Sequence, residues 1–313
     1  MALGKNMKNN KNWSYLKHIF KLLVTAVAIY WLCKKISFTE LRSALLNCNP
    51  GYLLLALICY ALSQLVASSR LNSFLKVIGL HISERENLRL YQVGLLYNFF
   101  LPGGIGGDGY KIYFLKKKYD IKGRKILSSV FFDRLSGLWA LSIITGSLII
   151  FMPRLAIPNS VTLGILCVGT ATYLYFLYVF FRSYLPRFII THAKALVVQA
   201  FQTLSAITIL YALGFHGKFS PYLLIFLVSS LLAIVPSMLG GAGLRESLMA
   251  FGANYFQLDP HLAVLVSLIF YLISLLVASS GLYYILRPQR LGTDRLPTAE
   301  EVEQQLDDED TDN

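Results

Sequence analysis

Along this chain apolar residues come in blocks, and polar residues are confined to short stretches between them. Several blocks reach the roughly 20 residues that a helix needs to cross about 30 Å of hydrocarbon. Full spans are predicted over residues 16–33, 52–71, 126–151, 161–181, 195–215 and 261–286. Between the first two, Phe38, Leu41, Leu45 and Leu46 recur at helical spacing, which predicts a helix lying along the interface. Two regions break the pattern. Residues 90–101 are apolar but short and stop at Pro102, Gly103, Gly104, Ile105, Gly106, Gly107, Asp108 and Gly109. Residues 222–235 end at Pro236 and run into Gly240, Gly241, Ala242 and Gly243 before a second short segment, residues 244–256. The pattern predicts an all-α, polytopic membrane helical bundle. Its two Gly/Pro-broken re-entrant hairpins form an inverted-repeat arrangement, the sequence pointer to a transporter with a midplane site. The bland alternative is that both breaks are ordinary tight loops between short helices.

Composition agrees with lipid as the main solvent. Of 313 residues, 55% are hydrophobic and 15% charged, against about 25% charged in soluble domains. The net charge of +12 would suggest nucleic acid in a soluble chain, but here the basic residues sit in short loops between spans, where they report topology and contact with anionic headgroups. No nucleic-acid partner is expected. With each broken pair returning to the side it left, one face collects the N-terminal lysines, Arg70 to Arg89, Lys111 to Lys125, Arg182 to Lys194 and the tail arginines. The other holds only Lys34, Lys35, Arg42, Arg154 and Lys218. The positive-inside rule then puts both termini in the cytoplasm. The first hairpin enters from that side and the second from outside. Residues 1–15 read as a basic cytoplasmic N-terminus, 16–286 as the membrane domain, and 287–313 as an acidic, disordered cytoplasmic tail. The N-terminus resembles a signal peptide without a cleavage site, so the first span is read as uncleaved.

Chemistry-bearing residues are few. Cys33, Cys48, Cys59 and Cys167 form no CxxC or Cys/His cluster, and no metal or cofactor motif is present. Charged residues inside or beside apolar segments stand out, because an ionisable group at the bilayer centre costs about 3 kcal/mol or more and needs a partner or a wet cavity. These are Asp108 and Lys111 after the first glycine run, Asp133 and Arg134, and Arg245 and Glu246 after the second run. A helix that starts after a glycine turn points free N–H groups and a positive dipole end into the space before it, which suits an anion. Asp108 and Glu246 are placed to cap those starts, and Arg134 and Arg245 to grip a phosphate through the planar guanidinium fork. Asn98 sits near the end of the first short helix, where local hydrogen bonding to frayed backbone is the competing reading. The structural alternatives are snorkelling of Asp133 and Arg134 to the cytoplasmic face, and a local ion pair between Arg245 and Glu246. Most of the 19 Tyr and 20 Phe are assigned to packing and interface belts.

The same residues carry a family resemblance. Asn98 through Pro102, Gly103, Gly104, Gly106, Gly107 and Asp108, then Asp133-Arg134-Leu135-Ser136-Gly137-Leu138, then Pro236 through Gly240, Gly241, Gly243, Arg245 and Glu246 are similar to three ordered motifs of the lysylphosphatidylglycerol synthase transmembrane family, also described as flippase-like integral membrane proteins. The resemblance implies a lipid flippase of the bacterial cytoplasmic membrane. The candidate substrate-binding residues, read from the charges and glycine turns above, are Asn98, Gly103, Gly104, Gly106, Gly107, Asp108, Lys111, Asp133, Arg134, Gly240, Gly241, Gly243, Arg245 and Glu246. Fused members of that family also carry a soluble domain that makes aminoacylated phosphatidylglycerol. These 313 residues hold no such domain, so lysyl transfer is not expected of them. The expected partners are membrane lipids, an anionic phospholipid or a polyprenyl-linked lipid. One alternative is a membrane-embedded transferase, for which no Asp-x-Asp, His/Glu metal spacing or Ser/His/Asp set is found in a credible place. The other is an accessory subunit of a lipid-synthesis enzyme, docked through the acidic tail.

Overall fold

The computed structural model describes residues 38–100, 106–152, 157–232 and 244–291, and every element in them is helical. Five stretches are long and apolar enough to cross a bilayer: Pro50–Ile78, Gly123–Ile150, Asn159–Phe180, Arg182–Ala212 and Pro260–Leu286. They match five of the predicted spans; most ends move by a few residues, but the 52–71 span runs on to Ile78 and the 195–215 span begins at Arg182. Span 16–33, Gly103, Gly104, Gly240, Gly241, Gly243 and the acidic stretch after Leu291 lie outside the described residues.

The helices, in order, are α1 (Phe38–Asn47), α2 (Pro50–Leu75), α3 (Glu84–Phe100), α4 (Gly106–Tyr119), α5 (Gly123–Ile150), α6 (Asn159–Phe180), α7 (Phe188–Ala212), α8 (Phe219–Leu232), α9 (Leu244–Tyr255), α10 (Pro260–Ala278) and α11 (Leu282–Leu286). Two of the long helices start the same way. Asn49 accepts from the Gly51 amide ahead of α2, and Asp259 from the His261 amide ahead of α10, each with proline at the first helical position. The side-chain oxygen satisfies an orphan donor where proline has none to offer.

Antiparallel packing of α2 on α7 forms the spine. The Asn49 amide donates to the Ala212 carbonyl, Ser205 Oγ to the Ala56 carbonyl, and Lys194 Nζ to the Ser69 carbonyl, so the partners run in descending register. Ala56, Ala67, Ala195 and Ala206 are buried along the seam, and small side chains let the backbones approach. Among the described residues there are three apolar cores, a small one around Phe74, Phe132, Leu177 and Tyr184 and two larger ones at opposite ends of this spine. One surrounds Ala56 and Tyr60 and takes in α8, α9 and α10. The other surrounds Ala67, Leu71 and Leu75 and takes in α3, α4 and the start of α5. The two short-helix pairs, α3–α4 and α8–α9, therefore pack at opposite ends of α2.

Two expectations change. Helix α3 begins at Glu84, not near Leu90, so the charged stretch before it is helical. The tail does not leave the protein at Arg287. Pro288–Leu291 forms a further turn, Leu291 is buried, and the Arg290 and Leu291 carbonyls accept from Arg89 and Lys118. Lys118 also pairs with Glu86, which accepts from Tyr119 Oη as well.

Candidate functional site

The first glycine motif makes a tight helix pair. Gly94 of α3 and Gly107 of α4 face each other so closely that a Cβ on Gly107 would come within 2.6 Å of the Gly94 carbonyl carbon and 2.8 Å of Asn98 Oδ1. Glycine is needed here for backbone approach. Asn98 Oδ1 accepts from the Gly107 amide at 2.9 Å. Thus the carboxamide across the turn supplies the start-of-helix acceptor that sequence reasoning had assigned to Asp108.

Asp108 instead faces cations. Its Oδ1 accepts from Lys111 Nζ at 3.0 Å, and its Oδ2 pairs with Arg134 Nε from α5. Lys111 Nζ also lies 4.5 Å from the centre of the Tyr91 ring of α3, a cation–π contact. Asp108 and Lys111 are buried, whereas the Arg134 side chain is 46% exposed. Lys111, counted with the cytoplasmic loop cations in the topology argument, is inside this cluster.

Asp133 and Arg134 are neighbours in sequence but point to different partners. Asp133 accepts a two-pronged pair from Arg70 of α2, Nε to Oδ1 at 2.7 Å and Nη2 to Oδ2 at 3.1 Å. Both side chains are at most 10% exposed. Arg70 is the functional candidate that sequence reasoning missed, because it was read as the first cation of a cytoplasmic loop. Its third nitrogen, Nη1, is buried and finds no hydrogen-bond partner among the described residues. It lies beside Gly137 of α5, where a Cβ would sit 3.3 Å from it.

The second motif forms a separate nest. Arg245 packs its guanidinium over Phe226 of α8 and Phe270 of α10, at 4.3 and 4.7 Å from the ring centres, and donates from Nη2 to Ser230 at 3.1 Å. Glu246 accepts from Ser267 Oγ of α10 at 3.0 Å. Arg245 thus ties three helices together through aromatic faces. No described contact joins it to Arg134. The halves meet at Phe99 and Tyr271, whose rings touch edge to face at 5.3 Å. Among the described residues no three His, Cys, Asp or Glu side chains converge as a metal site would need.

Comparison with known proteins bears on the whole arrangement. The family model for the lysylphosphatidylglycerol synthase TM region matches residues 18–201, more than half of the chain and the part that holds α2 to α5. A UPF0104 membrane protein of Methanocaldococcus jannaschii is 26% identical over 119 residues, 38% of this chain and 35% of that protein. A UPF0104 membrane protein of Pyrococcus horikoshii is 25% identical over 154 residues, 49% of this chain and 44% of that protein. The matched stretches cover less than half the length of either relative. With its apolar spans and the family match over α2 to α5, this integral membrane protein belongs to the lysylphosphatidylglycerol synthase transmembrane family.

Proposed function

We propose that the protein moves an anionic lipid headgroup between leaflets of the cytoplasmic membrane, both termini facing the cytoplasm. One observation carries the reading. Five ionisable side chains, Arg70, Asp108, Lys111, Asp133 and Arg134, are gathered where α2, α4 and α5 meet, and one of them, Arg134, is half exposed. Ionisable groups held in membrane helices mark substrate or ion paths far more often than they mark structure. Arg134 presents a planar donor fork suited to phosphate oxygens. Short-helix pairs at opposite ends of α2 support hairpins that re-enter from opposite faces, which leaves a polar gap for the headgroup while acyl chains stay in lipid.

The test is translocation of fluorescent acyl-labelled phosphatidylglycerol in proteoliposomes, read by quenching of the outer leaflet. Arg134→Ala is expected to lower the rate at least tenfold while the protein still purifies as a folded species, since Asp108 keeps Lys111. Arg245→Ala tests the second nest in the same assay. Undiminished transport by both variants would remove the site assignment.

A further inference from the structure

Among the described residues the most basic stretch runs from the end of α4 into α5. Residues 116–125 carry Lys116, Lys117, Lys118, Lys122, Arg124 and Lys125 against a single acid, Asp120. Lys117, Lys118, Lys122, Arg124 and Lys125 are exposed. Cations around this stretch are already engaged: Lys118 pairs with Glu86, Lys76 with Glu84, and Arg89 donates to the Arg290 carbonyl. Lys117, Lys122, Arg124 and Lys125 pair with no carboxylate among the described residues. Like charges crowded on one link repel each other and draw in a polyanion.

The chain itself supplies a polyanion at this place. Leu291 is buried, and its carbonyl accepts from Lys118 Nζ at 3.0 Å. Residue 292 therefore starts beside the basic stretch. Glu300, Glu301, Glu303, Asp307, Asp308, Glu309 and Asp310 follow, with no Lys or Arg among residues 296–313. Residues 292–299 reach about 27 Å when extended and about 16 Å as a flexible coil. Lys125 lies at most about 25 Å from Lys118 by chain length, so the whole stretch is within range of residues 300–310. We propose that the acidic segment 300–310 docks on the basic stretch 116–125 of its own chain. One exposed ion pair is weak and easily screened. Several of them act together when a short tether holds the segment at a millimolar effective concentration. Anionic headgroups are drawn to the same lysines, and the docked segment keeps that surface from them. Docking of this kind does not depend on what the protein transports.

The experiment is zero-length carbodiimide cross-linking of the full chain, which joins carboxylates to amines in contact, mapped by mass spectrometry. It is run in nanodiscs of net-neutral phosphatidylcholine, and again with phosphatidylglycerol as the minority lipid. Mixing isotope-labelled with unlabelled protein separates bonds within one chain from bonds between chains. Bonds within one chain are expected in both discs, from the acids of residues 300–310 to Lys117, Lys122 or Lys125. They should fall several-fold at about 1 M salt, where the screening length is about 3 Å. A variant with Glu→Gln and Asp→Asn at the seven acidic positions, which touches no folded element, should lose the bonds. Acylation of Lys117, Lys122 and Lys125 by a soluble amine reagent should rise at least about threefold in that variant. Absence of bonds to these lysines, bonds confined to the N-terminal Lys5, Lys8 and Lys11, or bonds only between chains would overturn the proposal. So would their loss on adding phosphatidylglycerol, which makes the lipid surface the occupant, and so would unchanged acylation in the neutralised variant.

Discussion

Breaking the Arg70–Asp133 pair one side at a time, and then on both sides, measures what that pair does. The pair is two-pronged, at 2.7 and 3.1 Å, and both side chains are at most 10% exposed. Removing one member of such a pair strands the other charge, at a cost of about 3–5 kcal/mol. Asp133→Val should therefore destabilise by about 4 kcal/mol, a shift of roughly a thousandfold in the folded-to-unfolded ratio. Arg70→Met should cost a comparable amount, because the buried Asp133 then lacks its cation. The double variant leaves no stranded charge. Apolar groups of similar volume in place of a buried pair are near neutral or stabilising, so its loss should be within about 1 kcal/mol of wild type. The coupling energy from the cycle is then about 7 kcal/mol, above the roughly 0.5–3 kcal/mol usual for contacting pairs, because each single variant strands a buried charge. The assay is reversible unfolding of the purified protein in mixed micelles with increasing denaturing detergent, followed by circular dichroism. Additive single losses, with the double variant worse than either, would refute the claim that each charge is there to satisfy the other.

Three further outcomes follow from the geometry. Gly107→Ala should destabilise by about 3 kcal/mol, since the new methyl is driven into the Gly94 backbone and Asn98; Gly109→Ala, in open space on the same helix, should be neutral or slightly stabilising, and equal melting points for the two would contradict the close packing. Glu86 is partly buried, which opposes its charge, yet hydrogen bonds from Lys118 and Tyr119 and the charges of Lys118 and Arg89 hold its carboxyl below the usual range. A depressed folded-state value means the contact is complete above the ordinary carboxylate range and lost as pH falls through the lowered value; amide protection at Arg290 should accordingly hold at neutral pH, fall in strong acid, and fall at neutral pH in Glu86→Gln. On the transport reading, an anionic phospholipid at about a hundred times its dissociation constant should stabilise the folded protein by about 2.7 kcal/mol; a thermal scan showing the same rise with phosphatidylethanolamine would argue against an anion site.

Five of the six predicted spans are seen among the described residues, because hydrophobic length is a strong signal; the polar flanks that extend them, such as Arg182–Lys194, were not legible as helix. Arg70 was not legible. It sits in a polar stretch with Ser68, Ser69, Asn72 and Ser73 near the end of α2, and that stretch reads as the water-facing end of a span until α5 and α7 are seen to supply partners for it. Its burial depends on a residue 63 positions away. The start of α3 was lost for a related reason: Glu84, Arg85, Glu86 and Arg89 look like a connection, but Ser83 Oγ accepts from the Glu86 amide and Asn87 is anchored to Ser68. The sequence pointed to these charges but not to their partners: Asp133 and Arg134 are adjacent, and consecutive helical residues project about 100° apart and meet different neighbours.

That division of labour explains why two adjacent charges belong in one turn of α5. Asp133 looks towards α2 and is spent on holding Arg70 at most 10% exposed. Arg134 looks towards α4, shares Asp108 with Lys111, and keeps nearly half its side chain in the open. The buried pair fixes α5 against α2, so the neighbouring guanidinium is held at a set distance from the glycine turn. A chain selected only for stability would replace such a cluster with apolar packing. The rigid pair and the half-open cation are thus two parts of one device, the first positioning the second.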